Sequence, residues 1–373
     1  MLSKKKYLLY ISILSSISLL ILFGSVFVLS SSFSYGLERN DLTMYFERHL
    51  IYLFIGLLIF YLIQKLNLKK MERYGFIILV LSLLLLPLPN IQGGLRWIKI
   101  GPFSLQPSEF VKITFLIYLA VYLKRRISIL NNFRVLLIPG IIYLYIIIVL
   151  QFQKDYGTFA IISITFLGVL FLCGLKSKYI FSLFGFFLIL TIGFIFLFPY
   201  RIERIKLYLN QNSDILGKNF PSHQAKISLS SGGLFGKGLG AGTGKLKFVP
   251  EIHKDFVYAV VGEELGFIGS FSVLLLFSII VFCGLEVSKF CNDLFEKILA
   301  AGISILFGVQ FLLHAGVVLS ILPPKGTTLP FFSVGGSSLI ANLISLGILL
   351  KIAENLTFQE YSKEIEETIL KIR

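Results

Sequence analysis

The sequence predicts an all-α membrane protein: one polytopic bundle of about ten transmembrane helices, with a long external loop between the seventh and eighth spans. Three observations carry that prediction. Hydrophobic residues make up 56% of the 373-residue chain. Phe, Leu and Ile recur in runs too long for a soluble core, since a helix needs about 20 apolar residues to cross roughly 30 Å of hydrocarbon. Basic residues fall in alternate short loops (Lys4–Lys6; Lys69, Lys70 and Arg73; Lys124–Arg126; Lys176 and Lys178), which is the positive-inside pattern.

The apolar runs lie at about 7–30, 49–66, 74–91, 108–124, 135–152, 158–175, 179–199, 258–284, 298–322 and 336–353. The first follows a lysine cluster as a signal peptide would. It is too long for one and lacks a small-residue cleavage site, so it reads as a span. Alternation then places both termini in the cytoplasm and the loop of about 200–257 outside, with 1–373 forming a single integral membrane domain.

Net charge is +15. Part of it anchors cytoplasmic loops to anionic lipid. The external loop is basic as well, carrying Arg201, Arg204, Lys206, Lys218, Lys226, Lys237, Lys245, Lys247 and Lys254. That share points to an anionic ligand; no nucleic-acid partner is inferred. Cys173, Cys283 and Cys291 sit in or beside spans without metal-ligand spacing, and neither a disulfide framework nor a zinc site with the scattered His49, His223, His253 and His314 is expected.

The richest segment is VPEIHKDFVYAVVGEELGFIG, residues 249–269. It brings Asp255 to the end of the external loop, then opens an apolar run with Glu263 and Glu264. A charged side chain costs roughly 2.5–3.5 kcal/mol at the bilayer centre, so intramembrane acids line protein or water and mark function. For the glutamates the competing reading is a helix N-terminus whose acids complement the macrodipole.

Upstream, the stretch GGLFGKGLGAGTG, residues 232–244, is not a P-loop. Counting back from Gly244-Lys245 puts Leu239 at the first glycine position and Leu246 at the Ser/Thr position. Two readings stand: glycines that let backbone N–H groups, with Lys237, approach an anion, or a flexible re-entrant loop. Gly262 and Gly266 form a small-xxx-small pair suited to a partner-helix seam.

Three other loops reach the same external side. In GGLRWIKIGPFSLQPSE, residues 93–109, Ser108 is placed to cap the next helix. Glu109 and Lys112 share a helix face, Lys112 pairing with the acid or reaching a ligand, and Arg96 and Trp97 are ligand contacts or an interfacial anchor. In KDYGT, residues 154–158, Lys154 and Asp155 meet at a helix end, where a surface pair is worth little. In LPPKGTTLPFFSVGGSS, residues 322–338, prolines and glycines predict a rigid loop, with Ser337 and Ser338 opening the last helix as an anion site.

GGLRWIKIGPFSLQPSEFVK, KDYGTF, GGLFGKGLG, PEIHKDFVYAVVGEELGFIG and LPPKGTTLPFFSVGGSS occur in the order and spacing of the SEDS family (shape, elongation, division and sporulation), which the chain resembles from about its third span to its tenth. GEELG and the Lys-Gly of LPPKG resemble the division branch more than the elongation branch. The resemblance implies a peptidoglycan glycosyltransferase that polymerises lipid II on the outer face of the cytoplasmic membrane at the division site. Implied partners are a class B penicillin-binding transpeptidase and other divisome membrane proteins. It carries the family's loop aspartate onto Asp255 and its Arg, Glu and Lys onto Arg96, Glu109 and Lys112. The chain departs from the family at His314, where Asn is common, and at Val334, where Tyr is usual.

The chemistry suits these residues: an acid takes the acceptor hydroxyl proton, and cations steady the departing pyrophosphate. Asp255 is the expected catalytic acid, either as general base or as ligand of a divalent cation (Mg or Mn). Arg96, Glu109, Lys112, Lys154, Asp155, Lys237, Glu263, Glu264, Ser337 and Ser338 are the expected substrate contacts. Two other functions share the form. A lipid II flippase predicts polar residues threaded to a midplane cavity, and a non-catalytic scaffold predicts that Asp255 is replaceable.

Overall fold

The computed structural model describes residues 2–38, 41, 43–101, 103–197, 199–210, 217, 219–244, 252–323 and 326–372. Each of the ten apolar runs overlaps a long helix, several running a few residues past its end: α1 (Leu2–Glu38), α2 (Met44–Lys65), α3 (Leu68–Leu85), α5 (Pro107–Lys124), α6 (Phe133–Phe152), α7 (Tyr156–Leu172), α8 (Ser177–Leu197), α12 (Val257–Phe290), α13 (Leu294–Val318) and α14 (Gly336–Ile372). A short α4 (Leu88–Ile91) follows α3. Among the described residues, eight helices are long and apolar enough to cross a membrane, and the shorter α7 is apolar too. This is a multi-pass membrane protein.

Helix α13 forms the centre, with α5 and α14 beside it, and is 83% buried against 6% for the peripheral α8. Lipid supplies little hydrophobic drive between helices, so close approach rests on small residues. Gly302 of α13 shows it: a Cβ there would sit 2.4 Å from Leu116 Cδ1 of α5. Outward-facing Phe54, Phe181, Ile189 and Phe282 are exposed, as a lipid-facing surface requires.

At the end of α5, α3 and α13 that carries the predicted cytoplasmic lysines, Lys124 binds Glu72 at 2.9 Å and Asp293 at 2.7 Å. Asp293 also caps α13, accepting from the N–H groups of Phe295 and Glu296. Partial burial pushes its carboxyl up, but Lys124 and the two N–H groups outweigh that and hold it below the usual aspartate range.

Several local expectations are corrected. The bundle is all-α as expected, and a short antiparallel hairpin of β1 (Ile98–Ile100) and β2 (Phe103–Leu105) precedes α5. Ser108 does not cap α5: the helix starts at Pro107 with Gln106 in the cap position, and Ser108 Oγ donates elsewhere. Within the loop of about 200–257, the described residues include helices α9 (Pro199–Leu209), α10 (Phe220–Ser231) and α11 (Ile252–Asp255). Lys218, Lys245, Lys247 and Lys325 lie outside the described residues.

The largest surprise is a break in α12 at Gly266, where φ is 68° and ψ is −161°. Breaking a helix orphans its backbone groups, and the glycine-rich stretch takes them up. Lys237 and Gly238 N–H donate to the carbonyls of Glu263 and Glu264, while Phe267 and Ile268 N–H donate to Gly233 and Leu234. Gly262 and Gly266 therefore face the chain's own residues rather than a partner. A Cβ on Gly262 would meet Leu229 at 2.1 Å, and one on Gly266 would meet Gly236 N at 2.4 Å.

Candidate functional site

The glutamates of α12 belong to this scaffold. They lie well past the first turn, just before the break, so they do not complement a helix N-terminus. Glu263 accepts from Lys237 Nζ at 2.7 Å, from Thr243 N–H and Oγ1 at 2.9 Å, and from Gly244 N–H at 3.0 Å. The glycine-rich backbone does cradle an anion, and the anion is Glu263. Glu264 accepts from Ser30 of α1 at 2.7 Å. Lys237, Glu263 and Glu264 do not line the cavity that holds Asp255.

That cavity, of about 160 Å³, lies where α5, α7, α11 and the 326–334 loop converge. Asp255 ends α11 and lines it with Arg96, Glu109, Lys112, Asp155 and Lys254. Gly326, at φ 65°, lies between acid and cation: a Cβ there would be 3.4 Å from Asp255 Oδ2 and 3.5 Å from Arg96 Nη1. A four-residue helix cannot hold Asp255 alone, and the loop does it. Ser333 Oγ donates to Lys254 O at 2.6 Å, and Val334 N–H donates to His253 O at 2.9 Å. Val334 thus acts through its backbone, which no side chain needs to supply.

Arg96 is fixed by its fork. Nε donates to Gln153 O at 3.2 Å, Nη2 donates to Lys154 O, and Nη1 lies 3.9 Å from Asp155 Oδ1. Asp155 is 2% exposed, so it forms no surface pair with Lys154. It caps α7 through Thr158 N–H and accepts from Gln106 Nε2 at 3.0 Å and Ser108 Oγ at 3.1 Å. Lys112 and Glu109 are both buried and pair at 2.8 Å, as their i,i+3 spacing implies.

Ser337 and Ser338 do open α14, yet they serve internal contacts. Ser337 Oγ accepts from Gln106 N–H and donates to Ser104 O, while Ser338 Oγ bonds Thr328 Oγ1 and Asn342 Nδ2. His314 is fully buried and donates from Nδ1 to Thr327 O at 2.7 Å, which positions the loop beside Gly326. Gln106, Gln153 and Ser333 were missed by the sequence reading. Their signal was a polar side chain next to a proline, a charge or a glycine pair, which is common to many loops.

The fold and this acid–cation cavity define a class of polytopic proteins with acidic and basic side chains gathered at the loop end of the bundle. The chain belongs to the FtsW/RodA/SpoVE family of cell cycle proteins, whose model matches residues 10–357. It is similar to the probable peptidoglycan glycosyltransferase FtsW of Buchnera aphidicola subsp. Schizaphis graminum, 35% identical over 344 residues, covering 90% of this chain and 98% of that one. The probable FtsW of Borreliella burgdorferi is 34% identical, with 91% and 95% covered. Stage V sporulation protein E of Bacillus subtilis is 34% identical, with 90% and 94% covered. Among solved structures, a chain from work on how a peptidoglycan synthase complex coordinates polymerization and crosslinking superposes with a TM-score of 0.75 at 27% identity, covering 92% of this chain and 97% of that one. The rod shape determining protein RodA of Thermus thermophilus shares the fold, with a TM-score of 0.65 at 24% identity and 92% and 96% covered.

Proposed function

We propose that this chain is a peptidoglycan glycosyltransferase of the division machinery that polymerises lipid II on the outer face of the cytoplasmic membrane, with both termini inside. The observation that carries the reading is Asp255, set opposite Arg96 across Gly326 in a cavity at the heads of α5 and α7. The acceptor sugar hydroxyl attacks the anomeric carbon of the donor. The bond from that carbon to the diphosphate breaks, its electron pair leaves with the diphosphate, and the hydroxyl proton passes to Asp255. General-base help of this kind is worth roughly 10²–10⁴-fold.

Arg96 cannot swing, because three partners hold its fork, so its charge is in place before substrate arrives. Lys112, matched by Glu109, shapes the cavity wall more than it adds net charge. Among the described residues no three His, Cys, Asp or Glu side chains group to hold a metal. If a Mg²⁺ or Mn²⁺ ion takes part, Asp255 is the residue that would hold it, in place of its role as base, and the ion would supply neutralising charge to the leaving group. A class B penicillin-binding transpeptidase is the proposed partner, with other divisome membrane proteins around it.

Reconstitution with that transpeptidase and purified lipid II tests the reading. Glycan strands are expected. Their absence, with lipid II translocated across the same vesicles, would identify a flippase instead.

A further inference from the structure

Helix α2 is peripheral: it is 17% buried, and Phe54, Leu58 and Tyr61 on its outward side are at least half exposed. Its inward side follows another rhythm. Tyr45, His49, Tyr52 and Gly56 recur at steps of three and four residues, which puts them on one face of a helix that packs on α14. Both tyrosines of that face touch the shell of the Asp255 cavity. The Tyr45 ring lies 5.4 Å, centroid to centroid, from the ring of His253 on α11. His253 is 1% exposed, and its carbonyl is the one that accepts from Val334 N–H. Two residues along a helix are about 200° of turn. The face that carries His253 to Tyr45 therefore sends Asp255 the opposite way, to the cavity wall. Tyr52 meets the other half of the shell. Ser104 N–H donates to Tyr52 Oη at 3.3 Å, and the Tyr52 ring lies 2.3 Å from where a Cβ on Gly336 would sit. Ser337 Oγ ties Ser104 O to Gln106 N–H, and Gln106 Nε2 donates to Asp155, the acid beside Arg96.

We infer that Tyr45 and Tyr52 are positioning residues for the transfer reaction. Helix α2 is the spacer that sets Asp255, held through His253, against Arg96, held through Ser104, Gln106 and Asp155. This rests on the glycosyltransferase reading and adds what fixes the separation of its acid and its cation. Neither tyrosine is among the described residues that line the cavity, so their effect is geometric. The parts they hold are weak on their own. A helix of four residues is far below the length at which helices persist alone, and a lone two-stranded hairpin is marginal at best. A 22-residue helix packed along α14 supplies the missing stiffness. Its two attachments are seven residues apart, roughly 10 Å of helix rise. Misplacing a reacting group by about 1 Å costs on the order of 10²-fold in rate. The attachments differ in chemistry: at Tyr45 the ring makes the contact, and at Tyr52 the hydroxyl makes it.

Strand synthesis by the full chain with its transpeptidase, followed over a range of lipid II concentrations, tests the spacer. Tyr45→Ala should lower kcat roughly tenfold to a hundredfold, with KM and partner binding unchanged. Tyr45→Phe keeps the ring and should retain most of the wild-type kcat. Tyr52→Phe loses the Ser104 bond and should fall about tenfold in kcat. Equal kcat in Tyr45→Ala and wild type, equal losses in Tyr45→Ala and Tyr45→Phe, or a loss carried by KM would overturn the inference. Should Tyr45→Ala fail to fold, Tyr45→Leu keeps bulk without an aromatic ring and carries the same expectation. A second readout needs no turnover. Trp97 is the chain's one tryptophan and lines the Asp255 cavity. In proteoliposomes of the full chain, acrylamide quenching of its emission should rise in Tyr45→Ala and Tyr52→Phe and stay at the wild-type level in Tyr45→Phe. Quenching unchanged in both of the first two would overturn the spacer as well. The two levels fail separately. Strands from wild type, with kcat and quenching indifferent to Tyr45→Ala, remove this inference alone. No strands from wild type, with quenching that rises as expected, removes the glycosyltransferase reading and leaves α2 as the spacer of the cavity.

Discussion

At the scale of single residues, the cavity separates side chains that hold from side chains that act. Arg96 is a holder and a charge at once, since its guanidinium spends donors on Gln153 O and Lys154 O. Lysine has no planar fork to reproduce that geometry. Arg96→Lys should therefore lower strand synthesis at least tenfold, measured with the partnered enzyme, although the formal charge is kept. Lys112 and Glu109 form a buried ion pair, and removing one partner leaves the other charge stranded. Lys112→Met should destabilise the protein by about 3–5 kcal/mol in detergent unfolding. Adding Glu109→Gln should restore much of that loss, and no recovery in the double variant would deny the coupling.

At the scale of elements, the break in α12 is the feature that organises the loop end of the bundle. Gly266 sits at a φ open to glycine alone at low cost, and its would-be Cβ position is occupied by the backbone of Leu234 and Gly236. Gly266→Ala should cost more than about 2 kcal/mol, read as a fall in unfolding midpoint. The opposite end of the bundle offers a pH test. Asp293, held below its usual range by Lys124 and two N–H groups, contributes stability that is fully present above the unfolded aspartate value of about 3.9. That contribution is lost as pH falls through its lower folded value. Wild type should lose stability relative to Asp293→Asn only at acidic pH below that range; a difference that stays constant through it would contradict the linkage.

On the scale of the whole molecule, helices were legible wherever apolar runs were long, because lipid forces backbone groups to pair within one segment. The Glu109–Lys112 pair was legible too, from i,i+3 spacing alone. The sequence did not reveal that Glu263 is the anion its glycine-rich loop binds, since that contact spans 19 residues or more and depends on a helix break no local pattern announces. Nor did it reveal that Asp155 meets Arg96 and Gln106, residues some 50 positions away. Local rules see caps and periods; a cavity assembled from four elements is visible only once they pack. Asp255 stands out in the sequence because an acid between a basic loop and an apolar run is costly in either setting, and the structure places it on the wall of a cavity.

Polymerisation of purified lipid II by the reconstituted chain with its transpeptidase, wild type against Asp255→Asn, tests the central claim most directly. The account predicts long glycan strands from wild type and a loss of roughly 10²-fold or more in the variant, with folding and partner binding intact. Strand synthesis at wild-type rate by a folded, partnered Asp255→Asn would contradict it.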